Sequence, residues 1–320
     1  MNEYHKVIKE VCDDLNIEFE LLSDDYIIKL SKNGITKYVY GFKFDNNSHS
    51  VGLIIDDKYG LYKILKDYGI KAVEHEIVYD RLFTTKYDNN VKFVEDYFVS
   101  HNNKIVIKPN HGSGGSGVYL IDDIKQIENT MKILFEKNLS ICVCPYYDAV
   151  TEYRVVVLNN KVELVYQKFK PIVYGNGKST IRELLQEFNP KYFTNRKLVD
   201  ESDASNYSKL ANELANNNQI DFDKVLEEGK SFEYTWKFNS SKGAVVKVLK
   251  DELIVKELEK LSIDISKKVG LNFGNIDFIK TKNDDLYVIE LNSGVDIVNV
   301  PEIKEYAKSI YTKAIQSLFE

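Results

Sequence analysis

Apolar residues along this 320-residue chain switch repeatedly between two periods. In residues 1–15, Val7, Ile8, Val11 and Leu15 fall on one face at helical spacing. The next stretches, IEFELL (17–22), DYIIKL (25–30) and TKYVYGF (36–42), alternate as strands do. Residues 56–70 return to the helical period through Leu61, Ile64 and Leu65, with Gly69 as a stop. Ile105–Lys108 reads as a short buried strand that enters a glycine-rich loop, and VYLIDD (118–123) as the strand that leaves it. Residues 152–169 form a predicted hairpin turning at Asn159-Asn160. The polar stretch 180–230 is predicted mainly helical. Residues 253–269 place Ile254, Leu258, Leu261 and Ile265 on one helical face, ended by Gly270. A second hairpin, 275–280 with 286–291, turns at Asn283-Asp284-Asp285, and a helix over 301–318 follows. Most strand pairs are hairpins, which predicts an α+β fold with antiparallel sheets.

Composition narrows the picture. Hydrophobic residues at 43% and charged residues at 29% describe a globular chain. The 43 basic and 49 acidic residues leave a formal charge of −6, which argues against sequence-independent nucleic-acid binding. The opening MNEYHKVIKE has no apolar signal region and no apolar run approaches the ~20 residues of a membrane span. A cytoplasmic protein without a membrane partner is the expectation. Cys12, Cys142 and Cys144 are too few for a disulfide framework and read as small buried hydrophobes.

Two clusters carry chemistry. In IVIKPNHGSGGSGVYLIDD (105–123), Gly112, Ser113, Gly114, Gly115, Ser116 and Gly117 lie between two strands. Such a loop can turn backbone N–H groups toward an anion, and Lys108 supplies a cation at a fixed place before it. The loop is no P-loop, because Val118 stands where that motif needs Lys; Gly177-Lys178-Ser179 lacks the motif's first Gly, having Ile172. It leads to a strand and not a helix, which excludes a dinucleotide fingerprint. In FGNIDFIKTKNDDLYVIELNSG (273–294), Asp277 sits on one strand of a hairpin and Glu290 and Asn292 share a face of the other. Three oxygen donors across a hairpin suit Mg²⁺ completed by phosphate and water. His101 and His111 read as solvated, and the alternating Tyr234, Trp236 and Phe238 as packing.

From about residue 51 onward these elements, in this order, resemble the ATP-grasp superfamily, in its carboxylate–amine ligase branch. The stretch 152–185 resembles cyanophycin synthetase and the ATP-grasp half of bifunctional glutathione synthetases. The resemblance implies two α+β subdomains gripping ATP: a short domain over 1–55, then an ATP-grasp domain over 56–320 with a lid at about 83–142. It implies ATP binding by Lys58, Lys108, the loop Gly112 to Gly117, and the hinge residues Val143, Cys144 and Tyr146. Glu152 would take the ribose hydroxyls and Lys168 a phosphate, where the family often has Arg. Asp277, Glu290 and Asn292 would hold Mg²⁺, as two ions, with Mn²⁺ as a substitute. Arg154, Asn239, Lys168 and Arg182 are implied holders of the acyl phosphate or the donor carboxylate, and Gly243 matches a family loop glycine.

Three departures stand out. The hinge ICVCPYY (141–147) has no acidic residue, Asn275 replaces a basic partner of the metal Asp, and Ser293-Gly294-Val295 replaces a small-Pro-Gly run. The implied reaction is amide-bond formation between a small-molecule carboxylate and an amine, amino acid or peptide, through an acyl phosphate, releasing ADP and phosphate. A homodimer is a further expectation. An ATP-grasp phosphotransferase and a nucleotide-binding regulatory protein are the alternatives.

Overall fold

The computed structural model describes residues 1–80, 91–112, 114–188, 221–240 and 244–320. Helix α1 (Glu3–Asp14) is capped by the Asn2 side chain, which accepts from the His5 N–H. Four antiparallel strands follow in chain order: β1 (Glu18–Leu22), β2 (Ile27–Lys32), β3 (Ile35–Tyr40) and β4 (Lys43–Phe44). The helix predicted over 56–70 is present as α3 (Lys58–Asp67), and a further helix that was not predicted, α2 (His49–Asp56), precedes it. Asp57 separates them: its backbone is extended and its carboxylate accepts from the Gly60 N–H, starting α3 afresh.

A second four-stranded sheet runs in the order β5 (Glu76–Tyr79), β8 (Ser140–Pro145), β6 (Ile105–Pro109), β7 (Tyr119–Ile121). Helices α4 (Val91–Ser100) and α5 (Gln126–Phe135) cover one face around Ile105, Ile107, Ile141 and Val143. The central sheet has the order β13 (Val245–Leu249), β10 (Lys161–Phe169), β9 (Ala149–Leu158), β14 (Phe273–Thr281), β15 (Leu286–Asn292). A small two-stranded ladder joins β11 (Ile172–Tyr174) to β12 (Ser231–Glu233). Helix α6 (Ile181–Phe188) accounts for the helical expectation at 181–188 only. Residues 221–230 make turns and no helix, and the remainder of the 180–230 expectation lies outside the described residues. The last expected helix begins as a 3₁₀ segment, Pro301–Tyr306, before α8 (Ala307–Gln316).

The two faces of the central sheet have different fates. Tyr153, Val155, Val157, Ile276 and Phe278 face α3 and helix α7 (Leu253–Val269), which stops at the left-handed Gly270. On the opposite face Val156, Leu158, Leu164 and Phe273 join a core with α1, β2–β4 and α8. The opening sheet thus shares its core with the C-terminal helix. Along β9 this second face changes within two residues from Val156 to Arg154 and Glu152, and there it opens into a cavity.

Candidate active site

Strand register builds the charged centre. Arg154 on β9 lies opposite Asp277 on β14, and Asp277 lies opposite Glu290 on β15. One pair further along β9, Glu152 lies opposite Lys168 on β10. Arg154 donates from Nε and from its terminal nitrogen to the two Asp277 oxygens, at 2.5 and 2.6 Å. Lys168 pairs with Glu152, and its Nζ is 3.8 Å from Asp277 Oδ1. Asn292 Nδ2 lies 3.2 Å from Glu290 Oε1 and 3.5 Å from Asp277 Oδ2. Glu290 and Asn292 are two apart on β15, opposite Asp277 and Asn275, so both side chains lie on the Asp277 face of the hairpin.

Burial sets the electrostatics. For Asp277, burial opposes ionisation, but Arg154 and Lys168 outweigh it and hold the carboxyl below its usual range. Burial pushes Glu152 up to about 7, against the pull of Lys168. Lys168 stays charged because Asp277 and Glu152 overcome its burial and the repulsion of Arg154.

Facing this row are groups from the second sheet. Lys108 on β6 is buried. Lys58, the first residue of α3, is also buried, which lowers its pKa. Its Nζ donates to the Gly112 carbonyl at 2.6 Å. Gly112, Gly114, Gly115 and Gly117 all have positive φ, between 67° and 134°, which explains the glycine run. Asn239 donates to the Gly114 carbonyl at 2.7 Å, so the loop is clasped from both sides. Ser113 and Gly243 lie outside the described residues.

These groups surround one cavity of about 800 Å³, in the range of small-molecule sites. Its far end is apolar and aromatic: Val106, Cys144, Tyr146, Trp236, Phe238 and Ile279. Trp236 meets Tyr146 edge-on, with centroids 6.0 Å apart. Asp277, Glu290 and Asn292 are a donor set of two carboxylates and a carboxamide. Among the described residues no three His, Cys, Asp or Glu side chains gather as a metal site. The set therefore fits an ion that takes much of its coordination from phosphate and water, as Mg²⁺ does, and not a protein-enclosed one.

Residues 227–315 match a family model described as the RimK-like ATP-grasp domain. A bifunctional glutathione synthetase from Pasteurella multocida superposes on 100% of this chain and 44% of its own, with TM-score 0.57 and 18% identity. The chain has the ATP-grasp fold. Among curated relatives, the glutathione biosynthesis bifunctional protein of Streptococcus mutans is 28% identical over 178 residues, 54% of this chain and 22% of that protein. A cyanophycin synthetase of Geminocystis herdmanii is 30% identical over 136 residues, 42% of this chain and 14% of its own. The chain thus spans well under half the length of these relatives.

Within the ATP-grasp frame, most of the expected residues meet. Lys58, Lys108, Gly112, Gly114, Gly115, Ser116, Cys144, Tyr146, Glu152, Arg154, Lys168, Asn239, Asp277, Glu290 and Asn292 all line the cavity. Val143 does not: on β8 it points the opposite way from Cys144, into the core with Ile107. Gly117 sits at the loop exit. Arg182 is at the surface with Asp223, 2.8 Å away, and is not brought to the cavity. His101 stacks on Tyr97. The missing basic neighbour at Asn275 is supplied by Arg154, while Asn275 instead donates to the Gly294 carbonyl. Sequence reasoning missed Trp236 and Phe238, which no strand carries and which line the cavity. Lys170 was missed too; it lies over the Phe238 ring. Its spacing of two from Lys168 was the available signal. Among the described residues no helix is long and apolar enough to cross a membrane.

Proposed function

We propose that this chain is an ATP-dependent carboxylate–amine ligase, with 56–320 as its ATP-grasp domain, a lid at about 83–142 and 1–55 as an added domain. The observation that carries the reading is the meeting, on one cavity, of Lys58, Lys108, Lys168 and Arg154 with Asp277, Glu290 and Asn292. Cations there balance a triphosphate, and the aromatic end accommodates a base. A glutathione biosynthesis protein and a cyanophycin synthetase among its relatives support a bond-forming reaction.

In this reading the adenine lies between Tyr146, Cys144 and Trp236, with backbone groups of the hinge giving hydrogen bonds. Glu152 faces the ribose. Lys58, Lys108 and the N–H groups of the glycine loop hold the phosphates. Asp277, Glu290 and Asn292 would hold Mg²⁺, as two ions, which supplies charge neutralisation at the phosphoryl oxygens. The donor carboxylate oxygen attacks the γ-phosphorus; the new O–P bond forms as the β–γ bridge breaks and ADP departs. The amine nitrogen then attacks the acyl carbon. The C–N bond forms, the C–O bond to phosphate breaks, and inorganic phosphate leaves. Arg154, with Asn239, orients the acyl phosphate, and no protein nucleophile is required. Closure of the glycine loop keeps water from the mixed anhydride.

Product analysis tests this. The full chain is incubated with MgATP and pairs drawn from amino acids and small peptides, and ADP, phosphate and new amides are measured. A ligase forms an amide with equal ADP and phosphate. A phosphorylated product without free phosphate would make the protein a phosphotransferase, and MgATP binding without turnover of any pair would make it a regulatory nucleotide binder.

A further inference from the structure

The cavity has a second end that the phosphate chemistry leaves unused. It lies between the opening sheet and the residues that follow Asn292. Lys43 of β4 bridges Gly294, the Val295 N–H donates to the Phe42 carbonyl at 3.1 Å, and Asn275 holds the Gly294 carbonyl at 2.9 Å. These bonds seat Ser293 and Asp296 on the cavity lining that also holds Tyr26 and Tyr40, and Tyr40 pairs with the same Lys43. We propose that this end is the acceptor subsite, and that it takes an α-amino acid or peptide N-terminus with a large apolar or aromatic side chain. The inference rests on the ligase reading above and names its amine substrate.

Three features carry it. First, Ser293 is only 4% exposed and lines the cavity, yet its hydroxyl has no hydrogen-bond partner among the described residues. A buried hydroxyl left unpaired is costly, and a substrate carbonyl or carboxylate oxygen would accept from it. Second, Asp296 accepts from the backbone and side-chain amides of Asn299 and has no basic partner among the described residues. Lys43, the nearby cation, is already engaged with Asp56 at 2.6 Å. Asp296 is therefore free to receive an ammonium.

Third, Tyr26 and Tyr40 are 55% and 59% exposed, a high value for two aromatic rings on a cavity wall. They meet edge-to-face with centroids 4.7 Å apart. Gly41 makes this possible: its φ is +57°, and a Cβ there would stand 3.2 Å from the Tyr26 hydroxyl oxygen. A fixed aromatic pair offers apolar area with little loss of freedom on binding. An ammonium on Asp296, a carbonyl oxygen on Ser293 and a side chain on the tyrosines together describe an α-amino acid. On reaction its nitrogen forms the C–N bond as the C–O bond to phosphate breaks, and the ammonium's two lost protons pass to bulk water.

The test titrates L-phenylalanine, glycine and L-lysine into the full chain with Mg²⁺ and a non-hydrolysable ATP analogue, by calorimetry. Analogue binding is measured first. The expected result is phenylalanine bound about ten-fold or more tighter than glycine or lysine. That advantage should be lost in Tyr26→Ala/Tyr40→Ala, and phenylalanine affinity should fall in both Asp296→Asn and Ser293→Ala. Thermal unfolding of each variant verifies that it folds, and Gly41→Ala, which displaces Tyr26, gives a second route to the same loss. If the analogue does not bind, the ligase reading fails. If it binds but phenylalanine gains nothing over glycine, or keeps its advantage in both tyrosine-wall variants, the acceptor assignment is wrong. Preference for lysine would overturn the apolar assignment.

Discussion

Arg154 and Asp277 stand directly opposite each other on neighbouring strands, and the guanidinium occupies both carboxylate oxygens at 2.5 and 2.6 Å. Asp277 is buried and Arg154 keeps about a quarter of its side chain exposed (24%), so Asp277 is a structural anchor as well as a candidate metal ligand. Removing one member of such a pair leaves an uncompensated charge, at a cost of about 3–5 kcal/mol. Asp277→Ala is therefore expected to lose stability in urea unfolding together with turnover. Glu290 is only half-buried, and Glu290→Ala should abolish turnover with at most about 1 kcal/mol lost. Equal stability of the two variants would contradict this division of roles.

Glu152 and Asp277 predict opposite pH dependences. Glu152, raised to about 7, keeps a proton in the folded state that the unfolded chain releases near the ordinary value of 4.5. Stability therefore declines as pH rises across that window, with a slope of at most about 1.4 kcal/mol per pH unit from this group. Asp277 is lowered, so its contribution is full above the unfolded value of 3.8 and is lost as pH falls through the folded one. Unfolding free energies from pH 4.5 to 8 should show the decline in the wild type and a flatter profile in Glu152→Gln. Parallel profiles would mean that Glu152 is ionised throughout.

Trp236 is the only tryptophan in the chain and lines the aromatic end of the cavity. Its emission should therefore change on titration with MgATP. Trp236→Phe should keep nucleotide affinity within a few-fold, while Trp236→Ala should weaken it about ten-fold, given about 1–3 kcal/mol for a base against an aromatic ring. An unchanged affinity in the alanine variant, measured by calorimetry, would place the base elsewhere.

The glycine loop gives the fourth expectation. Gly115 has φ +71°, and a Cβ on it would come 3.2 Å from Asn239 Nδ2. Gly115→Ala should therefore loosen the Asn239 clasp on the loop and reduce turnover about ten-fold or more. The loop carries no core residue, so the stability loss should stay near 1 kcal/mol. MgATP should slow amide exchange at 114–117 in the wild type. Exchange indifferent to nucleotide would reduce the loop to a hairpin tip.

The elements legible in the sequence are those with strong local marks. Asn159 and Asn160 both take the left-handed conformation their turn requires, and Gly270 ends α7 in the same way. The short strand β5 and helices α4 and α5 lack such marks. Trp236 and Phe238 alternate like a strand but belong to an irregular segment, so their period misleads. Most candidate site residues were readable by type and order. Their pairing was not: β14 lies beside β9, more than a hundred positions away in the chain, and only that non-local register joins Asp277 to Arg154. The Val143 side chain packs in the core while Cys144 faces the cavity, because alternate residues of a strand face opposite ways, so at Val143 only the backbone is left for a hinge role.

The shared core of the opening sheet and the last helix also bears on how the chain is made. Tyr4 and Phe44 pack on Tyr311, whose hydroxyl accepts from the Ile297 N–H and donates to the Val295 carbonyl. Lys308 adds an ion pair to Asp14 at 2.9 Å. During synthesis the apolar face of α1 leaves the ribosome long before residues 307–316 exist to cover it. Completion of this core, and with it the wall that carries Tyr26 and Tyr40, waits until residues 307–316 have been translated. The wall at Tyr26 and Tyr40 is therefore closed only after the whole charged row, from Glu152 to Asn292, has been translated.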